Sequence, residues 1–188
     1  YLGGACRGGC IREIVQPCLD AEIGIVQTPC PEQQAWGGVL KRLLLPFYGA
    51  EGTLRFRLRR ILLPLMLLYT RRIYRKLARE TADQMEDYLT SGFSILGIVG
   101  IDGSPSCGVK VTLDLKQSLE LIGALDVQTV TAEEVNAIIR ECLAAGRGLF
   151  IALLQEELEK RQLTIPFLAH DLLAEIAGKQ SNVSLFPS

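Results

Sequence analysis

The sequence predicts a single α/β domain spanning all 188 residues, Rossmann-like in its layering, with a mainly parallel sheet. Three observations predict it. Helix and strand patterns alternate along the chain, the strand candidates are near-continuous apolar runs of the kind buried on both faces, and the connections are long enough for crossover helices. A composition of 48% hydrophobic and 22% charged residues fits one globular domain with a sizeable core and gives no reason to divide it.

The chain opens on Tyr1 and a glycine-rich stretch, Leu2–Ala5, with no helix or strand pattern before it, so the native protein is expected to begin earlier. No charged segment leads into an apolar stretch and a small-residue cleavage site, and a cytoplasmic location is expected. Ile11, Ile14, Val15, Cys18 and Leu19 then recur at helical spacing, and Ile23–Gln27 reads as a short buried strand. Pro29 and Pro31 flank Cys30 and stop any ladder there, leaving Cys30 and Glu32 at the carboxyl end of that strand.

Residues 53–91 form a Leu- and Arg-rich helical segment, expected as two pieces or one helix kinked at Pro64 and ending at Gly92. Phe93–Ile101 is the next buried strand candidate, and it runs into the turn Asp102–Gly108, which carries Ser104 and Cys107. Val109–Leu113 alternates like a strand, but residues 109–128 as a whole read as an ordered loop. Thr131 and Glu134 have the spacing of a capping box and open a helix to about Ala145, with Gly146 placed to end it. Leu149–Gln162 repeats the helical period, Thr164–Ala169 is the last strand candidate with Pro166 directing it to an edge, and the last eleven residues read as a frayed tail.

Six cysteines at irregular spacing, in a chain large enough to form its own core, argue against a disulfide scaffold and for metal binding or catalysis by those that reach the surface. Ligands of open α/β sheets bind outside the carboxyl ends of the strands, which directs attention to the Cys30 and Cys107 turns together. Pro- and Gly-rich turns leave backbone amides free around both sulfurs, a setting that suits metal or cluster ligation. Cys18 and Cys142 lie on apolar helical faces and read as core. Glu32, two residues after Cys30, is the group beside them able to transfer protons or orient a water.

The Pro29-Cys30-Pro31-Glu32 turn and the Asp102–Gly108 turn, each after an apolar run, resemble the thiouracil desulfurase family and in particular its desulfidase relatives. The stretches Ile11–Glu32, Tyr74–Val109 and Gly146–Asp171 carry the likeness, nearly half of the chain. The two turns together are fairly specific; either alone is weak. The resemblance implies a four-iron, four-sulfur cluster held by three cysteines, with the open iron binding the sulfur of a thiolated nucleobase such as thiouracil while water replaces that sulfur without net redox change. It makes Cys30 and Cys107 ligands, Glu32 the proton-transfer group and Ser104 a contact to substrate or water. The family's first cysteine lies in a short motif near the start that is not recognisable here, so a third ligand is expected upstream of Tyr1, with Cys6 as the alternative; Cys10 falls where the first helix begins.

The net charge of −1 hides an asymmetry. Residues 41–79 hold eleven Lys/Arg against Glu51 alone. Within that segment Arg55, Arg57, Arg59, Arg60, Arg71, Arg72, Arg75, Lys76 and Arg79 surround the apolar run Ile61–Tyr69, which falls far short of the ~20 residues that span a bilayer. Such a mix suits a membrane surface or a polyanion, including a thiolated RNA, contacted through Arg55–Arg79. The plainer expectation is a solvated basic face packed by its leucines onto the domain. Few aromatics interleave with the arginines, so stacking on single strands is poorly supported, and no specific DNA binding is expected.

Two rival readings follow from the same residues. His170, the only histidine, follows the last strand candidate and with Cys107 would make a cysteine-dependent hydrolase, although that leaves Cys30 unexplained. A non-catalytic iron-sulfur or membrane-binding module is the other. The glycine pairs at Gly3-Gly4 and Gly8-Gly9 lack the Lys-Ser/Thr of a phosphate loop, which excludes that route to nucleotide hydrolysis.

Overall fold

The computed structural model describes residues 11–37, 52, 54–123, 125, 131–171 and 174. Leu2–Ala5, Cys6, Cys10, the side chain of Arg55 and the carboxyl tail lie outside the described residues. The chain is a mixed α/β structure in which helices predominate: α1 (Arg12–Asp20), α2 (Pro31–Trp36), α3 (Leu54–Thr90), β1 (Ile98–Ile101), β2 (Val111–Leu113), α4 (Leu115–Gly123), α5 (Ala132–Glu141), β3 (Leu143–Ala145), α6 (Leu149–Lys160) and β4 (Phe167–His170).

Helix α3 is continuous over 37 residues through Pro64. Pro64 is exposed, so the carbonyl one turn back, which loses its amide donor, can turn to water instead. The helix stops where the sequence expects it to. Gly92 takes a positive φ of 88°, its N–H donates to the Leu89 carbonyl at 3.2 Å, and the Phe93 N–H donates to Tyr88 at 3.0 Å. The Tyr88 and Phe93 rings close this cap with an edge contact at 5.9 Å.

The core forms where α6 lies on α3. Ala78 and Ala82 are fully buried and let the helices approach closely, while Phe150, Leu154 and Leu158 of α6 fill the space with Tyr74 and Trp36. Arg161 at the end of α6 holds the two together, pairing with Asp83, with Glu86 at 3.2 Å and with Glu157 at 3.2 Å. Lys160 and Arg79 join on Glu157, and the hydrogen bond from Lys160 is the main influence holding its carboxyl below the usual range.

Among the described residues the sheet is smaller than the sequence predicts. β1 pairs with β4 in parallel, Ile98 opposite Phe167 and Ile101 opposite His170, and β2 pairs with β3 antiparallel. The expected strand Ile23–Gln27 does not form: residues 23–30 run without helix or strand, and Ile25 and Val26 are exposed. A β-branched apolar run signals extended backbone only when a partner strand is beside it. Of Phe93–Ile101 only the last four residues pair, with Phe93 and Leu96 left in solvent. Residues 109–128, read as a loop, contain β2 and α4. The helix capped by Thr131 ends at Glu141 rather than near Ala145, because 143–145 pair with β2. Its start is as expected: the Thr131 N–H donates to Glu134 at 2.8 Å and the Glu134 N–H donates to the Thr131 hydroxyl at 3.2 Å.

Candidate functional site

The turn after β1 is built by short-range necessity. The Asp102 carboxylate accepts from the amides of Val109 (2.8 Å) and Lys110 (2.9 Å), and the Ile101 N–H donates to the Cys107 carbonyl at 2.9 Å, so the turn folds back on its own strand. Helix α6 then docks end-on against it. The Leu149 N–H donates to the Pro105 carbonyl at 3.0 Å, and Phe150 and Ile151 both donate to Ser106 O, at 3.1 and 3.2 Å. Amides that a helix start leaves without partners are thus satisfied by the carbonyls of the turn. Two glycines permit the approach: a Cβ on Gly148 would stand 2.4 Å from the Ser106 carbonyl carbon, and one on Gly100 would stand 2.4 Å from the Cys107 carbonyl oxygen.

Onto this turn α2 brings Cys30 and Glu32. Pro31 begins α2 with its missing N–H at a position that has no intrahelical partner, Cys30 caps it with extended backbone, and Glu32 enters the first turn. Glu32 is 8% exposed. Its Oε1 accepts from the Ser106 hydroxyl at 3.0 Å and from the Ser104 hydroxyl at 3.2 Å, and the two hydroxyls stand 3.0 Å from each other. Ser104 Oγ also accepts from the amides of Ser106 (3.3 Å) and Cys107 (3.1 Å). With its lone pairs so occupied, Ser104 must donate its one proton, either straight to Glu32 or through Ser106.

The Ser106 hydroxyl also reaches Cys107 Sγ at 3.4 Å. Burial pushes the Cys107 thiol up from 9.0 to about 11, the Ser106 hydrogen bond opposes the rise, and nearby Glu32 and Cys30 add to it. The Ser106 hydroxyl thus stands between Glu32 and Cys107, and Cys30, two residues before Glu32, lies close enough to act on the same thiol. Cys30 is exposed and Cys107 half-buried, so the pair faces outward from a buried acid.

A residue that sequence reasoning did not single out completes the site. Tyr74 of α3 is 1% exposed, and among the described residues its buried hydroxyl meets no hydrogen-bond partner of ordinary geometry. Burial first, then Glu32, Cys107 and Cys30, hold its phenol above the ordinary value of 10.0, with Ser106 opposing. It stands beside Trp36, whose ring centroid is 6.3 Å away and whose indole N–H donates to Thr70 at 3.0 Å. The sequence signal was the i, i+4, i+8 line Thr70–Tyr74–Ala78, which reads as core. Ser106 was also missed as a site residue, because nothing in the turn's spacing separates its role from that of Ser104.

Ser106 therefore links Glu32 to the Cys107 turn with Cys30 close by, but Cys30 and Glu32 open a helix rather than end a strand, and Ser104, expected as a contact to substrate or water, bonds to Glu32. Cys18 and Cys142 are buried on α1 and at the end of α5, as the core reading has it. His170 is fully buried at the end of β4, and its carbonyl accepts from the Asp102 N–H at 2.9 Å. The thiol of Cys107 bonds to Ser106, and burial holds it toward the neutral form, whereas a nucleophile and a metal ligand both act as the thiolate.

In donor chemistry two thiols, one exposed at Cys30 and one half-buried at Cys107, suit a soft metal or an iron-sulfur cluster, but the amides expected to be free around Cys107 are taken: those of Ser106 and Cys107 by Ser104 Oγ and that of Val109 by Asp102. Among the described residues no group of three or more His, Cys, Asp or Glu is arranged to hold a metal ion, so a third ligand is not among them. No protein-family model, curated protein or solved structure matches the chain.

Proposed function

We propose that the protein removes sulfur from a small thiolated compound, of the class of thiolated nucleobases, by hydrolysis without net redox change. In this reading Cys30 and Cys107 are two ligands of a [4Fe–4S] cluster and Glu32 transfers protons beside it. The observation that carries the proposal is the buried carboxylate of Glu32, anchored by Ser104 and Ser106 in the neighbourhood of both turn cysteines. The resemblance of these same two turns to the desulfurase family supports it.

The reaction balances without an oxidant. Water oxygen bonds to the thiocarbonyl carbon, the carbon–sulfur bond breaks, and sulfur leaves as hydrogen sulfide with the two protons of the water. A cluster held in part by Cys30 and Cys107 would supply a soft acceptor suited to sulfur. Glu32 takes a proton from the attacking water and returns it to the departing sulfur. Ser104 and Ser106 fix the direction of its carboxylate, which is itself buried. The Rossmann-like layering belongs to the same proposal: β1 and β4 form the kind of parallel unit that a layered sheet extends.

The test is anaerobic incubation of the iron- and sulfide-reconstituted protein with thiouracil. Uracil and sulfide should appear in equal amounts, and neither with iron-free protein. Equal turnover without iron would sink the reading and favour the thiol-hydrolase alternative.

A further inference from the structure

The outer face of α3 carries an apolar stripe that the described fold leaves in solvent. Leu54, Leu58, Ile61, Leu65 and Leu68 follow one another at alternating spacings of four and three and are 42–70% exposed. At about 100° per residue this line runs roughly 180° from the line of Met66, Thr70 and Tyr74 that enters the core. The expectation that the leucines of this segment pack onto the domain is thus met only by those on the opposite side, such as Leu63 and Leu77. The same spacing continues past Leu68 into Arg72, Arg75 and Arg79, which with Lys76 and its ion-pair partner Glu80 line a shallow depression of about 420 Å³.

Charge narrows the choice of occupant. Between Leu54 and Arg79 the sequence has nine Lys/Arg and no acid. A second copy seated on this stripe would set two arginine-rich segments, each without an acid between Leu54 and Arg79, against each other, with no carboxylate in either segment to pair. An RNA would account for the arginines but has no use for an exposed aliphatic line, and the stripe lacks the stacked aromatics that bind single strands. An anionic lipid surface takes both features at once. Aliphatic side chains settle about 5–10 Å into the boundary of headgroups and acyl chains while long arginines reach the phosphates. The stripe lies along the surface rather than across it, since among the described residues no helix is long and apolar enough to span a membrane.

We infer that residues 54–79 of α3 are a membrane-surface module that lays Leu58, Ile61, Leu65 and Leu68 into an anionic bilayer, flanked by Arg57, Arg60, Arg71 and Arg72. This inference rests on the helix surface alone and stands or falls apart from the desulfurase reading.

The experiment is flotation of the protein with vesicles of phosphatidylcholine alone and of phosphatidylcholine containing phosphatidylserine, at low and high salt, with sedimentation velocity in parallel. The native protein should float with the anionic vesicles, at least tenfold more than with neutral ones, and less so at high salt. Leu65→Ser/Leu68→Ser and Arg71→Glu/Arg72→Glu should each reduce that binding at least tenfold; these side chains are exposed, so an unchanged thermal transition in both variants identifies the loss as one of surface. Three results overturn the inference: no vesicle binding, binding that the leucine variant retains, which marks a purely electrostatic polyanion surface, or a dimer that the leucine variant dissolves, which gives the stripe to a second copy.

Discussion

The Ser106 hydroxyl donates to Glu32 Oε1 at 3.0 Å across 74 residues of sequence, and this contact joins the two cysteine turns into one site. Glu32→Gln should lower desulfuration about 10²–10⁴-fold, the usual worth of a positioned acid or base, while leaving bound iron unchanged. Ser106→Ala removes one hydrogen bond to a charged group, about 1.5–3 kcal/mol, and should cost roughly 10–100-fold. Steady-state turnover of the two variants with iron content measured alongside checks both, and an effect larger for the serine than for the glutamate would reverse the roles assigned here.

Gly148 is the point at which α6 meets the turn. An added methyl would overlap the Ser106 carbonyl carbon at 2.4 Å and the Cys107 amide nitrogen at 2.8 Å, both backbone atoms that cannot swing aside. Gly148→Ala should therefore destabilise the protein by about 1–3 kcal/mol or more and weaken cluster retention, because the turn that carries Cys107 has to shift. Urea denaturation gives the first quantity and iron content the second.

Cys107 supplies a pH dependence in the metal-free protein. Its thiol has a pKa of about 11 against 9.0 in the unfolded chain, so the unfolded state releases its proton first as pH rises. The group contributes stability that is complete below pH 9.0 and is lost as pH rises through about 11, at most about 2–3 kcal/mol. Alkylation of the native metal-free protein should show Cys107 reacting more slowly than exposed Cys30 at neutral pH and accelerating toward pH 11. Equal rates at neutral pH would contradict the assignment.

Tyr74→Phe separates a structural hydroxyl from one kept for a ligand. Among the described residues the hydroxyl makes no hydrogen bond of ordinary geometry, and a buried hydroxyl so placed carries a desolvation cost of about 1–3 kcal/mol, so its removal should leave thermal stability unchanged or raised. If the hydroxyl faces bound substrate, the same variant should raise KM. A fall in stability of more than about 1 kcal/mol would show that the hydroxyl has a structural partner after all.

What could be read from the sequence was the chemistry at turns. The Gly/Ser/Pro turn around Cys107 is a local constraint and follows a strand as expected, whereas Pro29 and Pro31 stop an extended run that is not a strand and start α2, so Cys30 and Glu32 reach the site from a helix start instead of a strand end. The caps at Thr131 and Gly92 were legible for the same reason. Pairing was not legible. Ile23–Gln27 and Phe93–Gly97 have strand composition, yet whether such a run is buried depends on a neighbour that local sequence does not encode. Leu143–Ala145 was lost to the helix before it because Ala and Leu favour helix until a partner strand, here β2, outbids that preference. The leucines of α3 show the same limit: two lines of apolar residues run along one helix, and only tertiary packing decides which enters the core.

The central claim is that Cys30 and Cys107 hold an iron-sulfur cluster, and the most direct measurement is iron and acid-labile sulfide per chain after anaerobic reconstitution of the protein expressed from its native start. About four of each is the expected content, as for a [4Fe–4S] cluster, with most of it lost in Cys30→Ser and in Cys107→Ser and none in Cys18→Ser. Absence of iron from the native protein, or retention of the same content by both turn variants, would contradict the account.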